Sequence, residues 1–364
     1  MRSPLLLSGL AVGTVLLVAG CSAFARIDAL QDDLNALTGA GVAGAVATVD
    51  ADRTTIVVTS GVGDRATGEP MPDAGRIRIG SVTKPFTATI VMQLVSEDRV
   101  QLDAPIDTYL PGVLNANGTD GRAITVRQLL QHRSGIPEFA GEPGADELVA
   151  ADRNTTLSPD EAVAIALRQP PQFEPGTRFA YTNTNYILLG MLIERVTGRA
   201  YSDELASRII GPLGLSDTYL PGPGETEIRG DHPHGYQSTP DGVVDVSRIE
   251  PSIPWAAGAL VSTGHDLNTF WRALLGGKLV PAAQLDQMTT PQSGATEEEG
   301  RGYGLGVGST DLPCRTRYVG HSGGIPGYYT TSGATRDRAV TIVLTQAPET
   351  RPDLEKMLAH ALCP

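Results

Sequence analysis

Segments with strand character stand at the two ends of this chain and are missing from its long middle, and that separation narrows the possible folds more than any other feature. Near the start, Gly44 to Val49 and Thr54 to Thr59 are rich in valine, alanine and threonine. Asp50-Ala51-Asp52 between them supplies turn chemistry, so the two runs predict an antiparallel pair. Strand-like runs return only late, at Gly304 to Gly308, Arg317 to Val319, Tyr328 to Ser332 and Ala339 to Thr345. The stretch from about Leu102 to Ile249 carries many prolines and helical patterns, at Val126 to Gln131, Pro159 to Arg168, Asn185 to Val196 and Ser202 to Ile210. One sheet must therefore be assembled from both ends of the chain. Ile27, Leu30, Leu34 and Leu37 share a helix face, and a closing helix is expected over Asp353 to Leu362. Both should pack on one side of that sheet. The expected fold is α/β of the α+β type: an antiparallel sheet flanked by helices, with an inserted, mostly helical lobe. The sheet part spans about 27–100 and 255–364, the lobe about 101–254.

The N-terminus carries an address. Arg2, an apolar run from Leu5 to Val18, and small residues Ala19-Gly20 before Cys21 read as an export signal over residues 1–20. The run is too short and too glycine-interrupted for a spanning helix. Its end matches a bacterial lipobox, in which Cys21 is lipidated and becomes the mature N-terminus, leaving 21–26 as a linker. The expected location is the cell envelope, outside the cytoplasm and lipid-anchored to the membrane. There the remaining cysteines, Cys314 and Cys363, are expected to be bridged. Such a bridge staples the closing helix to the last part of the sheet and is worth about 4 kcal/mol on the chain-entropy model. No cysteine pattern points to a metal, and no cofactor is expected. A net charge of −13 without a basic stretch argues against nucleic acid as a partner. A monomer is expected.

The tetrad Ser81-Val82-Thr83-Lys84 opens a long apolar pattern running to Ser96, with Pro85 tolerable because it falls in the first turn. A serine hydroxyl is a weak nucleophile until a base takes its proton, and an amine one turn later lies on the same helix face. Only three of the 28 basic residues are lysine, at 84, 278 and 356. With so few, a Ser-x-x-Lys arises by chance in about one such chain in six, so the tetrad needs company. Its setting supplies some, because a lysine in the first turn of an apolar helix is disfavoured by the helix dipole and by burial. Burial and nearby positive charge would lower the Lys84 pKa until the amine is neutral.

Two further patterns occur once each, Tyr181-Thr182-Asn183 and His321-Ser322-Gly323. In this order the three motifs resemble those of the serine β-lactamase and penicillin-binding protein family. The flanks at Ile79 to Lys84, Leu129 to Gly135, Pro175 to Tyr186, Pro212 to Leu215 and Gly320 to Tyr329 resemble its class C β-lactamase and D-alanyl-D-alanine carboxypeptidase branch. The resemblance implies a β-lactamase/transpeptidase-like catalytic domain over 27–364. It implies Ser81 as acylated nucleophile, with Lys84 and Tyr181 sharing the proton transfers and the choice of base left open. Asn183 would bind the substrate amide or orient Lys84. His321, Ser322 and Gly323 would bind substrate, with His321 supplying positive charge or a hydrogen bond. The N–H groups of Ser81 and Gly324 would form the oxyanion hole. The implied substrate is a peptidoglycan stem peptide, cleaved at its terminal D-Ala-D-Ala, or a β-lactam. The alternatives on the same scaffold are a β-lactamase or esterase, and a sensor that is acylated without turnover.

Weaker readings attach to other residues. Trp255 lines the pocket or is a contact between core and lobe. His232 and His234 flank a proline and read as a solvated loop. His132 belongs to a structural turn. The stretch Gly306 to Ser309 lacks the basic residue with which carboxypeptidases of this branch catch a terminal carboxylate, leaving Arg315 or Arg317 as substitutes. Gly320 to Gly324 also fits Gly-x-Ser-x-Gly, a nucleophile elbow with Ser322 at its tip, although its neighbours read as strand where an elbow needs a following helix.

Overall fold

In a computed structural model the two terminal strand groups meet in one sheet. The structure describes residues 15–51, 54–140, 155–292, 301–350 and 352–363, with backbone alone at 15–25 and 301. In chain order the elements that position the site are helix α1 (Val15–Gly39), strands β1 (Gly44–Ala51) and β2 (Thr54–Gly61), and helices α2 (Thr83–Ser96), α3 (Thr184–Thr197) and α4 (Gly264–Leu275). Strands β3 (Arg301–Tyr303), β4 (Gly308–Asp311), β5 (Arg317–Ile325), β6 (Tyr328–Ala334) and β7 (Ala339–Leu344) follow, and helix α5 (Leu354–Leu362) closes the chain. The order across the sheet is β2-β1-β7-β6-β5-β4-β3, every pair antiparallel.

Alternation along the central strands divides the interior. Ala45, Ala47 and Val49 of β1 join Val340, Ile342 and Leu344 of β7 under Leu30 and Leu34 of α1 and Met357, Leu358, Ala361 and Leu362 of α5. Both terminal helices thus cover one face, as the sequence led us to expect. The opposite face packs against α4 and α2, where the Phe86 and Phe270 rings stack at 3.8 Å. There polar groups are buried in pairs: Trp271 Nε1 donates to Ser332 Oγ at 2.9 Å, and Thr341 Oγ1 donates to Asn268 Oδ1 at 2.9 Å. Helix α2 is buried on nearly every side, from Thr83 to Met92, because it runs through the middle of the molecule between sheet and lobe.

Three sequence expectations need correction. Gly304 to Gly308 is the turn between β3 and β4, where Gly304 N donates to Val307 O at 2.9 Å. Its Gly-Leu-Gly-Val-Gly pattern imitates strand alternation, but a Cβ at Gly306, whose φ is +80°, would stand 2.3 Å from Ala88 Cβ. The backbone is helical from Val15 onward, including 21–26, for which a linker was expected. Helix α4 and the helix Ala282–Thr289 were not anticipated at all. The signal segment lies outside the described residues up to 14, and no side chain is described at Cys21. Among the described residues no helix is long and apolar enough to cross a membrane.

Cys314 and Cys363 are bonded, with Cα atoms 5.9 Å apart and a sequence separation of 49. The bond ties the end of α5 to the turn between β4 and β5.

Candidate active site

The site forms where β5 passes the N-terminus of α2. A 3₁₀ turn, Gly80–Val82, precedes the helix, and Gly80 has φ +51°. A Cβ on Gly80 would approach the backbone of Gly324 at 2.9 to 3.0 Å, and one on Gly323 would lie 2.0 Å from Ile79 O and 3.0 Å from Ser81 N. Only glycine permits this approach of strand to turn. It brings Ser81 N and the Gly323-Gly324 backbone to one place.

Ser81 is half-buried, whereas Lys84, one turn along, is fully buried. Lys84 Nζ lies 2.9 Å from Ser81 Oγ, 2.7 Å from Asn183 Oδ1 and 2.8 Å from Ala257 O. Burial lowers its pKa to about 7, against a smaller opposing effect of Glu138. The positive neighbour expected from the sequence is absent from the causes; desolvation does the work. Amide and carbonyl oxygens can only accept, so Asn183 Oδ1 and Ala257 O take the two N–H bonds of the neutral amine. When the amine is neutral, its remaining position, a lone pair, is left for the Ser81 hydroxyl 2.9 Å away.

Tyr181 approaches from the other side. It leaves 40% of its surface exposed, yet its hydroxyl end is enclosed and shares a hydrogen bond with Ser81. Burial, with Tyr303 adding to it, holds the phenol well above its ordinary pKa, so it stays protonated. Lys84 Nζ stands 4.9 Å from the centre of its ring. The loop carrying Tyr181 and Asn183 into α3 is fixed by the segment from His132 to Phe139. Thr182 N donates to His132 Nδ1 at 3.2 Å, Asn183 N to Glu138 Oε2 at 2.6 Å, and Thr184 Oγ1 to Pro137 O at 2.8 Å.

His132, read from the sequence as part of a turn, is completely buried with φ 56°, its ring 4.1 Å from that of Tyr181. Its Nε2 is 3.3 Å from the Tyr303 hydroxyl, which in turn lies 3.1 Å from His321 Nε2. A chain of hydrogen bonds, His132 to Tyr303 to His321, therefore underlies Tyr181. Burial and Lys84 push His321 down to about 3 and His132 well below its ordinary range. Of the two properties expected of His321, hydrogen bonding is present and positive charge at neutral pH is not.

The other expectations sort by position. Ser322 sits in the middle of β5, paired to Thr331, so it cannot be the tip of a strand-to-helix elbow. Trp255 packs on Gly190 of α3 and edge-on against Tyr201, a core-to-lobe contact. The short helix it opens, Trp255–Gly258, aims Ala257 O at Lys84. His232 and His234 lie apart from the site; His234 Nδ1 meets Asp245 Oδ2 at 2.5 Å. Arg315 and Arg317 are exposed, and Arg317 donates to Ser309 Oγ at 3.0 Å. Among the described residues no cluster of His, Cys, Asp and Glu could hold a metal. Sequence reasoning missed Ala257, Glu138, Tyr303 and the role of His132; only His132 stood inside a quoted motif stretch.

Beside Tyr181 and His321 lies a cavity of 470 Å³, bounded also by Phe179, Tyr303 and Ser322 at this end.

Among known proteins, the chain matches the family described as Beta-lactamase over residues 27–362. It is 38% identical to a D-stereospecific amidohydrolase from Streptomyces sp., whose crystal structure aligns with a TM-score of 0.86 over 92% of this chain and 98% of that one. The D-amino acid amidase of Ochrobactrum anthropi SV3, solved with L-phenylalanine amide, is 27% identical and aligns with a TM-score of 0.79 over 92% and 98% of the two chains. Penicillin-binding protein 4* of Bacillus subtilis (strain 168) is 26% identical over 313 residues, 80% of this chain. This chain spans 65% of that relative's length.

Proposed function

Because the chain belongs to the Beta-lactamase family, we propose that it is a serine hydrolase that forms an acyl-enzyme on Ser81 and cleaves amide bonds of small D-configured amino-acid or peptide substrates. The observation that carries this reading is the buried Lys84 amine, its pKa lowered to about 7, held by Asn183 and Ala257 with Nζ 2.9 Å from Ser81 Oγ. Lys84 takes the serine proton as Oγ attacks the carbonyl carbon. The oxyanion settles between the N–H groups of Ser81 and Gly324. Tyr181, kept protonated, gives its proton to the departing amine and regains one from the Lys84 ammonium. A water then attacks the ester, its proton passing to the same pair and back to Ser81 as the acid leaves. His321, Ser322 and Gly323 line the substrate's path along β5, with His321 a neutral hydrogen-bonding partner.

The D-configuration is supported by the likeness to the D-stereospecific amidohydrolase and the D-amino acid amidase. One observation favours a second reading, release of a C-terminal D-amino acid from a stem peptide. Arg317 is hydrogen-bonded to Ser309, and Ser309 lines the same cavity as His321. Its guanidinium, one hydrogen bond behind that wall, would draw a substrate carboxylate toward it.

The test is mass spectrometry after exposure to a β-lactam or a D-alanine ester, followed by product analysis on D-alaninamide and on a D-Ala-D-Ala peptide. The expected result is one acyl adduct on the native protein, none on Ser81→Ala, and multiple turnovers on the amide. An adduct that persists in Ser81→Ala overturns the mechanism. Labelling without turnover on any substrate makes the protein a sensor. Preference for the peptide, lost in Arg317→Ala, selects the second reading. We place the protein in the cell envelope on the strength of residues 1–21, a reading that fails if the native protein fractionates with the cytosol.

A further inference from the structure

We propose that the cavity beside Tyr181 and His321 continues into a subsite for an extended, uncharged arm of the substrate, with the buried Tyr318 hydroxyl as its hydrogen-bond donor. This rests on the acyl-Ser81 reading and narrows the substrate to a peptide-like chain rather than a simple amino-acid amide.

The same 470 Å³ cavity that touches Tyr181 and His321 is also lined by Tyr318, Thr331, Leu354 and Leu358. Its volume falls within the range of about 300–1,000 Å³ common for small-molecule sites. Tyr318 is 6% exposed, and its Oη has no hydrogen-bond partner among the described residues. A buried hydroxyl without a partner is unfavourable in the empty protein and is relieved by a ligand that supplies one.

The sheet is shaped to hold this ring. A Cβ at Gly320 would stand 2.2 Å from Tyr318 Oη, and one at Gly333 would stand 2.6 Å from its Cε2. Paired glycines on neighbouring strands leave the gap in which the phenol lies, its hydroxyl above Gly320, itself part of the cavity wall. Burial pushes the phenol's ionisation upward, so it remains a donor and its partner must be an acceptor such as a carbonyl oxygen. Leu354 and Leu358 of α5 give the arm an apolar wall, and Glu355 at the rim is the one charged residue among the described lining. From Ser322 to Tyr318 is four residues along one face of β5, about 13 Å at strand spacing. An amino-acid amide that reaches only as far as Ser322 leaves that distance unspanned; an arm of three or four extended residues covers it.

The experiment compares D-alaninamide with two elongated substrates, one extended by a neutral acyl-tripeptide on the acyl side and one extended by a tripeptide amide on the leaving side. Turnover is measured as kcat/KM on the native protein, and binding by calorimetry on Ser81→Ala, so that absence of catalysis does not silence the test. At least one elongated ligand should bind and react better than the short one. Tyr318→Phe should remove about five- to tenfold of that gain, the measure of one hydrogen bond, and leave the short amide unchanged. Thr331→Phe, which narrows the passage, should abolish the gain without relying on the tyrosine position. Equal affinities for long and short ligands, or a gain insensitive to both substitutions, overturn the subsite. Failure of every substrate to turn over while the length dependence of binding survives overturns the proposed activity alone.

Discussion

The two faces of the central sheet are built from the same strands and serve opposite ends. Toward the terminal helices, Ala45, Ala47, Val49, Val340, Ile342 and Leu344 pack in one apolar cluster with α1 and α5. The other side of the molecule buries Lys84, His132, Asn185 and Asn268, each completely enclosed and each hydrogen-bonded. One face gains stability in proportion to the area it removes from water. The opposite side gives up part of that gain, because an ionisable group in a dry site costs free energy unless it becomes neutral or is paired. Catalytic pKa values are made where the structure is least economical.

The sharpest way to break this contrast is Lys84→Met. Loss of the base should lower kcat/KM by about 10³-fold, measured on any substrate the native protein turns over. Stability should move the other way. Because the folded pKa of about 7 lies below the unfolded value of 10.5, the unfolded chain binds more protons between these limits, and native stability rises as pH climbs through them. Lys84→Met removes that dependence. Its melting temperature should therefore exceed the native one at pH 7, by a margin that shrinks toward pH 10. A melting temperature below the native one at pH 7 contradicts the assignment. By the same sign, kcat/KM of the native protein should fall as pH drops below about 7, where Lys84 takes up a proton.

Cys314→Ser with Cys363→Ser strikes the hydrocarbon face. Denaturant unfolding should show a loss of about 2–4 kcal/mol, with kcat/KM unaltered below the melting range. An equal loss of activity at low temperature would mean that the two faces are not independent. The smallest effect belongs to Tyr303→Phe, which cuts the link between His132 and His321. It should reduce kcat/KM by about five- to tenfold, chiefly through kcat, and change the pH profile, whereas a packing role alone would leave the profile intact.

Much of this was legible in the sequence because its physical cause is local. The Ser81 to Lys84 spacing is one helical turn, and the structure returns it as a 2.9 Å contact. The valine and alanine alternation of β1 and β7 fixes which residues face the terminal helices. Where local patterns had two physical meanings, the reading failed. Gly304 to Gly308 alternates like a strand, yet Gly306 serves close approach to α2. His132 looks like a turn residue, and it is one, but the turn buries its ring against Tyr181. No local signal marks Ala257, whose contribution is a carbonyl oxygen any residue possesses.

By itself the sequence determined most of the helices and strands, which ends must share a sheet, and which hydroxyl has an amine one turn away. Those properties depend on neighbours within a few residues. Tertiary structure alone decided the state of that amine. Its lowered pKa comes from burial, and its orientation from Asn183 and Ala257, which are distant in sequence and meet Lys84 only when lobe and sheet close around it. A pKa is set by everything enclosed within a few ångströms of a group, and no stretch of sequence contains that volume.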